Sequence, residues 1–303
     1  MSEFPPPPRA RWIAAASVCT MVWSSTFLFI SIGNDTLPAL WACTMRLGFA
    51  SLILFAIAHA RSERLPAGPA LRSALLYGFF QFGVNFPLLY WAEKTLPSGL
   101  SAILFATMPL QAAILAWRAG LERFSAARIA GGVVAIAGIA LIFGGQLRWS
   151  GDPWPLLAVV AATLCANIGS LLYKLGPRQA PVSANAIGAG LGALIAGALS
   201  ALAGEQRMLP PTAGSWIALA YLTLAGSVVS FVLWAWLVAR LPISRLAFTA
   251  VISPLLGLVL GVVVRHERLG PLSASGALVV LLGVAIGLQL VRVPGRGDQT
   301  VTS

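Results

Sequence analysis

The sequence predicts an all-α membrane protein of ten transmembrane helices, arranged as two inverted five-helix repeats. Three observations predict it. The 303 residues are 58% hydrophobic and only 10% charged, with a mean hydropathy of +0.86, a balance that a water-facing surface does not sustain. Apolar runs of about 20 residues, the length that crosses roughly 30 Å of hydrocarbon, recur ten times, and the chain matches itself at a shift of 145 residues.

The runs fall at about 11–32, 37–59, 71–92, 97–117, 126–146, 154–174, 182–203, 213–237, 243–264 and 271–291. Prolines punctuate their starts, among them Pro38, Pro66, Pro153, Pro181, Pro210, Pro211 and Pro242, where a missing N–H costs a helix nothing. A β-barrel would need alternating strands of about ten residues, which the sequence lacks. The first run is too long for a signal-peptide core and carries no small-residue cleavage site, so it is read as the first helix. PPPP at 5–8 reads as a tail without fixed structure. Cys19, Cys43 and Cys165 all lie inside apolar runs and are read as small packing residues rather than a disulfide framework.

The net charge of +11 suits nucleic acid only where a soluble domain displays it, and there is none here. It is better read as topology. With ten spans both termini share one side, whose loops and tails hold 14 basic residues, including Arg61, Arg64, Arg118, Arg123, Arg128 and Lys174, against five on the other side. Basic residues near span ends stay in the cytoplasm, so both termini are expected inside.

At the 145-residue shift Pro97 falls on Pro242, Pro109 on Pro254, Glu122-Arg123 on Glu267-Arg268, Gly131 on Gly276 and Gly138 on Gly283. Near the start of each half the shift becomes 143, where Thr20 meets Thr163 and Pro38 meets Pro181. The expected organisation is a tail over 1–10, a repeat over 11–146, a linker over 147–152, a second repeat over 153–291 and a tail over 292–303. Five spans per repeat is an odd number, so the second repeat enters the membrane from the opposite face. Two similar halves in opposite orientation can exchange conformations and open a central site to alternate sides, an architecture of secondary transporters.

WSSTFLFISIG in the first span, LPALWACTMRLGF in the second, and LPSGLSAILFATMPL followed by LERFSAARIAGGVVAIAGIALI, echoed by LPISRLAFTAVISPLLGLVLG with HERLGPLSASGALVVLLGVAIGL, resemble the EamA repeats of the drug/metabolite transporter superfamily. The resemblance spans nearly the whole chain. It implies a ten-helix transporter of small metabolites, often an amino-acid exporter, in a bacterial inner membrane. One departure is that Arg46 aligns with Ala189, so any role for Arg46 belongs to one half.

Polar side chains inside spans cost free energy unless they pair or face water, and therefore mark a cavity. Ser24 follows Thr20 by four residues, Asn167 follows Thr163 by four, and Tyr77, Gln81 and Asn85 form a stripe at the same spacing, each set on one helix face. The eighth span adds Ser230 and Trp234, and Trp23 is placed to cap a pocket. With Arg46, ten positions deep and suited to a carboxylate, the candidate substrate-binding set is Trp23, Ser24, Arg46, Tyr77, Gln81, Asn85, Asn167, Ser230 and Trp234. Helix packing through the same hydroxyls and amides is the competing role. Pro109 and Pro254, in mid-span in both halves, are candidate gating hinges.

Glu93 and Lys94 read as an exposed neighbouring pair, and His59 and His266 at span ends suggest no metal or proton relay. No cofactor or metal is expected. No Asp or Glu occupies the middle third of a span, which favours facilitated or exchange transport over ion coupling, and one buried Arg suits neutral or zwitterionic solutes better than phosphorylated ones. Proton-coupled export of other metabolites or drugs and a channel-like protein are the alternatives; a membrane enzyme would need a catalytic constellation that is absent. The partners expected are a small solute and the lipid bilayer, with monomer and homodimer both open. Gly188/Gly192 and Gly283/Gly287 read as packing pairs, the latter available to a dimer contact.

Overall fold

A computed structural model describes residues 9–96, 101, 104–142, 152–253, 255–256 and 271–290, and these contain helices and no strand. The helices are α1 (Arg9–Asn34), α2 (Ala39–Ala60), α3 (residues 69–92), α4 (Met108–Arg118), α5 (Ala126–Ile142), α6 (Trp154–Leu175), α7 (Pro181–Leu202), α8 (Ala213–Val238), α9 (Ile243–Ser253) and α10 (Pro271–Gly287). Five stretches, Ala10–Asn34, Ala39–Ala60, Trp154–Leu175, Pro181–Leu202 and Ala213–Val238, are long and apolar enough to cross a membrane. The tail expected over 1–10 loses its last two residues to α1. Residues 1–8, 147–151 and 292–303, and with them most of the predicted tails and linker, lie outside the described residues, as do Pro254, His266, Glu267 and Arg268.

The starts follow the proline pattern. Pro69, Pro155 and Pro181 stand in the first turns of α3, α6 and α7, where their fixed φ suits a helix and no N–H is missed. At α8 the Thr212 hydroxyl accepts from the Ser215 N–H, and Ser215 answers by accepting from the Thr212 N–H, satisfying two otherwise orphaned donors. Pro109 is placed differently from the mid-helix site the sequence suggested. It stands in the first turn of α4, behind a turn at 106–107, so it starts a helix instead of kinking one.

Two helices change register in mid-course. Phe79–Val84 in α3 and Leu224–Val229 in α8 are π-turns, and they are 145 positions apart. In α3, Pro87, which has no N–H to offer the carbonyl four residues back, lies just beyond the π-turn. In α8 no proline is involved; the π-turn contains Gly226.

Large apolar side chains such as Leu52, Leu194, Leu202 and Leu278 point outward, while the interior carries alanine, glycine and serine with a knot of aromatic rings. In lipid, burying a leucine gains little, so close backbone approach and interhelical hydrogen bonds hold the helices together. In α2 and α7, Gly197 faces Thr44, Ala193 faces Gly48 and Gly190 faces Ser51, the reversed order of an antiparallel pair. The Ser51 hydroxyl donates to the Ala186 carbonyl at 2.8 Å. The pair is also tied at both ends: Glu205 accepts from the Leu40 and Trp41 N–H groups at the start of α2, and Glu63 accepts from the Ser183 hydroxyl in the first turn of α7.

In α5 and α10 a Cβ on Gly131 would lie 2.4 Å from the Gly287 nitrogen, and one on Gly138 would lie 2.6 Å from the Val280 nitrogen. These helices too are antiparallel, and their backbones touch. Gly283 and Gly287, which the sequence left available to a dimer contact, are used inside the molecule, against Ala135 and Phe248. Gly188 and Gly192 pack on Gly78 and Phe82 of α3.

Candidate functional site

A cavity of about 100 Å³, space for several water molecules, lies where α1, α2, α3, α6, α8 and α9 converge with the start of α4. Trp23, Arg46, Gln81, Asn85 and Trp234 line it, together with residues the sequence reading did not single out: Thr26, Phe86, Leu89, Phe105, Met108, Ser170, Phe231, Thr249 and Ser253 among them. The wall is mainly apolar, with charge at one point.

That charge is Arg46, 1% exposed. Its Nε donates to the Ser227 hydroxyl at 2.9 Å, Nη1 to the Tyr90 hydroxyl at 3.3 Å and Nη2 to the Gly226 carbonyl at 3.3 Å, and the guanidinium lies 4.7 Å from the centre of the Phe86 ring. Every partner is neutral. The ion pair formed among the described residues joins Arg128 to Glu122, not Arg46 to an acid. Three neutral acceptors and a ring face offset part of the cost of burying a cation, but a guanidinium has five N–H groups and an affinity for carboxylates.

On α3 the polar stripe is partly unsatisfied. Asn85 Nδ2 donates to the Gln81 carbonyl at 3.1 Å, while Asn85 Oδ1 and Gln81 Oε1 are buried without a partner. Both residues line the cavity, so these two oxygens can accept from a water or from a solute N–H there. Opposite them Trp234 Nε1 donates to the Ser170 hydroxyl at 3.1 Å, and Trp23 meets the Trp234 ring edge-on at 5.0 Å. Phe82, Phe86 and Phe231 complete the aromatic knot, which presents ring faces and edges suited to an apolar group.

The other four candidates are placed in packing contacts away from the lining. Ser24 donates to the Thr20 carbonyl at 2.5 Å. Tyr77 donates to Asn185 Oδ1 at 3.1 Å, and Asn185 Nδ2 in turn reaches the Phe231 carbonyl, fastening α3, α7 and α8 together. Asn167 donates to the Met108 carbonyl and to Gln111 Oε1, both at 3.2 Å. Ser230 donates to the Ala225 carbonyl at 2.8 Å, within the π-turn. Of the residues picked by spacing, Gln81, Asn85 and Trp234 face the cavity, while Ser24, Tyr77, Asn167 and Ser230 do not. Ser227 and Ser170 do sit on polar stripes that spacing can reveal. Tyr90 and Gly226, which hold Arg46, carry no signal in a single sequence.

Glu93 also departs from its expected setting. Lys94 is exposed, but Glu93 is half-buried with Oε1 unpartnered; burial pushes its carboxyl up to about 7, against a smaller lowering by the Ser101 hydroxyl. All three cysteines are free, and among the described residues no group of His, Cys, Asp or Glu is placed to hold a metal.

The chain matches the EamA-like transporter family over residues 10–144 and again over 153–288. It is 26% identical over 271 residues to the "Uncharacterized inner membrane transporter YedA" of Escherichia coli K12, covering 88% of this chain and 87% of that protein. It is 29% identical over 280 residues to a "Probable terminal-alkyne amino-acid exporter" of Streptantibioticus cattleyicolor, covering 92% and 93%. It is 24% identical over 295 residues to a "Probable amino-acid metabolite efflux pump" of Salmonella typhimurium, covering 92% and 95%. A solved crystal structure, 19% identical, superposes with a TM-score of 0.75 over 93% of this chain and 98% of its own, a likeness of fold.

Proposed function

This chain belongs to the EamA-like transporter family, and on that premise we propose that it exports amino acids or related small neutral or zwitterionic metabolites by alternating access. The setting is a bacterial inner membrane, with both termini in the cytoplasm. The observation that carries the reading is the combination in one buried cavity of a guanidinium without a counter-ion among the described residues, Arg46, two unpartnered amide oxygens, Gln81 Oε1 and Asn85 Oδ1, and an aromatic wall. A zwitterion with an apolar side chain answers all three: a carboxylate for Arg46, an ammonium for the amides and a hydrocarbon for the rings. The names of two relatives, both concerned with amino-acid export, support the same class, and that of a third supports the membrane.

Two inverted repeats, over 11–146 and 153–291, are the proposed frame. The antiparallel contacts of α2 with α7 and of α5 with α10, and π-turns at matched positions of α3 and α8, support it, because a two-fold axis in the membrane plane turns each element over onto its counterpart. Transport runs as facilitation or exchange, the solute's binding free energy being the term that shifts the population between the two openings. Pro109 and Pro254 remain the proposed hinges, Pro109 now at the junction where α4 begins.

Counterflow in liposomes reconstituted with the full chain, using a panel of labelled amino acids, is the test; absence of uptake across the whole panel refutes the reading. Proton-coupled export is the second reading, favoured by the half-buried Glu93 at the end of α3. Uptake into solute-free liposomes with an imposed pH gradient separates the two, since without internal solute only the proton-coupled carrier concentrates label against its gradient.

A further inference from the structure

The two π-turns stand at matched positions but are completed differently. In an α-helix the N–H of residue 230 would bond the carbonyl of 226; here the Ser230 N–H is shared between the Ala225 and Ser227 carbonyls instead, leaving Gly226 without that donor. The vacancy is filled by the Arg46 guanidinium. In α3 the Asn85 N–H likewise donates to the Phe80 carbonyl, and the carbonyl so released, that of Gln81, is taken by the side chain of Asn85 itself. One turn closes on itself. The other recruits a cation from α2, and the position matching Arg46 in the second half is Ala189, which has no donor to offer.

We propose that the π-turn of α8 is the positioning element for Arg46, its Gly226 carbonyl and Ser227 hydroxyl aiming the guanidinium at the anionic group of the solute. This rests on the reading above that Arg46 receives a carboxylate. An arginine on a flexible stem loses rotamer freedom when it is held, and a cation bound at Nε and one Nη is fixed in plane as well as in place. Gly226 matters twice. It supplies the carbonyl, and it leaves space: a Cβ there would lie 3.0 Å from Arg46 Nη2, and what it would displace is the mobile end of a side chain rather than backbone. Gly226→Ala is therefore expected to fold and to move the guanidinium. Ser227 and Gly226 act through Arg46 and are positioning residues, not ligands.

The experiment is a tryptophan-fluorescence titration of the purified full-length protein, with Trp23 and Trp234 in the cavity wall as reporters. The probes are L-leucine, L-methionine and L-phenylalanine and their carboxamides. The unaltered protein is expected to prefer acid over amide. Ser227→Ala and Gly226→Ala should reduce that preference about tenfold, the effect of losing one hydrogen bond to a charged group, by weakening the acid while the amide moves less than twofold. Ser227→Thr, which keeps the hydroxyl, should restore it. If both alanine variants keep the full preference, or if acid and amide weaken together, the positioning role is overturned and the Arg46 reading stands. If the unaltered protein shows no preference for the acids, the carboxylate role of Arg46 falls, and the positioning role with it.

Discussion

Glu122 and Ser244 are bonded twice across 122 residues of chain: the Ser244 N–H donates to Oε1 at 3.3 Å and its hydroxyl donates to Oε2. Arg128 Nη1 reaches the same oxygen, at 2.5 Å. The connection between α4 and α5 is thereby pinned to the first turn of α9, in the other half of the sequence. Beside it Lys174 Nζ donates to the carbonyls of Val238 and Leu241, closing the end of α8. The arginine that serves Glu122 is Arg128, not the neighbouring Arg123.

Glu122→Ala leaves the Arg128 guanidinium, 13% exposed, without its acid and the first turn of α9 without an acceptor. Thermal unfolding in detergent should show a loss of about 1–3 kcal/mol. Arg123→Ala, at an exposed position, should stay within about 0.5 kcal/mol. Equal effects of the two would assign the fastening wrongly.

Arg46→Met separates stability from transport. Replacing a buried cation that has no counter-ion by an apolar chain of similar length is expected to leave unfolding unchanged or raise stability by about 1–2 kcal/mol, while uptake in counterflow falls at least tenfold. A variant that unfolds but, once refolded into liposomes, transports normally would make Arg46 a structural residue.

Asn85→Ala and Trp234→Ala should both raise the half-saturating solute concentration in counterflow with the folded fraction, read by size-exclusion chromatography, unchanged. Unaltered kinetics in both would remove them from the solute's path.

Gly131→Val inserts a side chain where even a Cβ would lie 2.4 Å from the Gly287 backbone, so α5 and α10 must separate, at a cost of about 3 kcal/mol or more. Gly33→Ala near the end of α1 meets nothing within 4 Å and should be neutral or stabilise by about 0.5–1 kcal/mol. Comparing the two melting temperatures tests whether backbone contact, rather than glycine as such, is what α5 and α10 require.

Glu93 makes stability depend on pH. Its carboxyl rises from 4.5 to about 7 on folding. Below pH 4.5 both states hold the proton and there is no penalty; between 4.5 and 7 the unfolded chain releases it first, so stability falls as pH rises, and above 7 the loss is complete. The melting temperature should decline across that window, and Glu93→Gln should flatten the decline. An unchanged slope in the variant would assign it elsewhere.

Composition, apolar run length and the self-match at 145 residues determined the helical class, the positions of α1, α2, α3, α6, α7 and α8 to within a few residues and, through the order of its motifs, the family. These are properties that lipid imposes on a chain residue by residue, because a spanning segment must satisfy its own backbone and expose hydrocarbon wherever it sits. Tertiary structure decided what depends on two helices meeting. It turned Gly283 and Gly287 inward against α5, set Ser24, Tyr77, Asn167 and Ser230 in packing contacts while Trp23, Arg46, Gln81, Asn85 and Trp234 reached the cavity, and paired Glu122 with Arg128 and Ser244. It also placed the π-turns. A helical stripe has a period of 3.6, and one inserted residue rotates everything beyond it by about 100°, so spacing alone misassigns the face of any helix that carries such a turn, as α3 and α8 do on either side of Arg46.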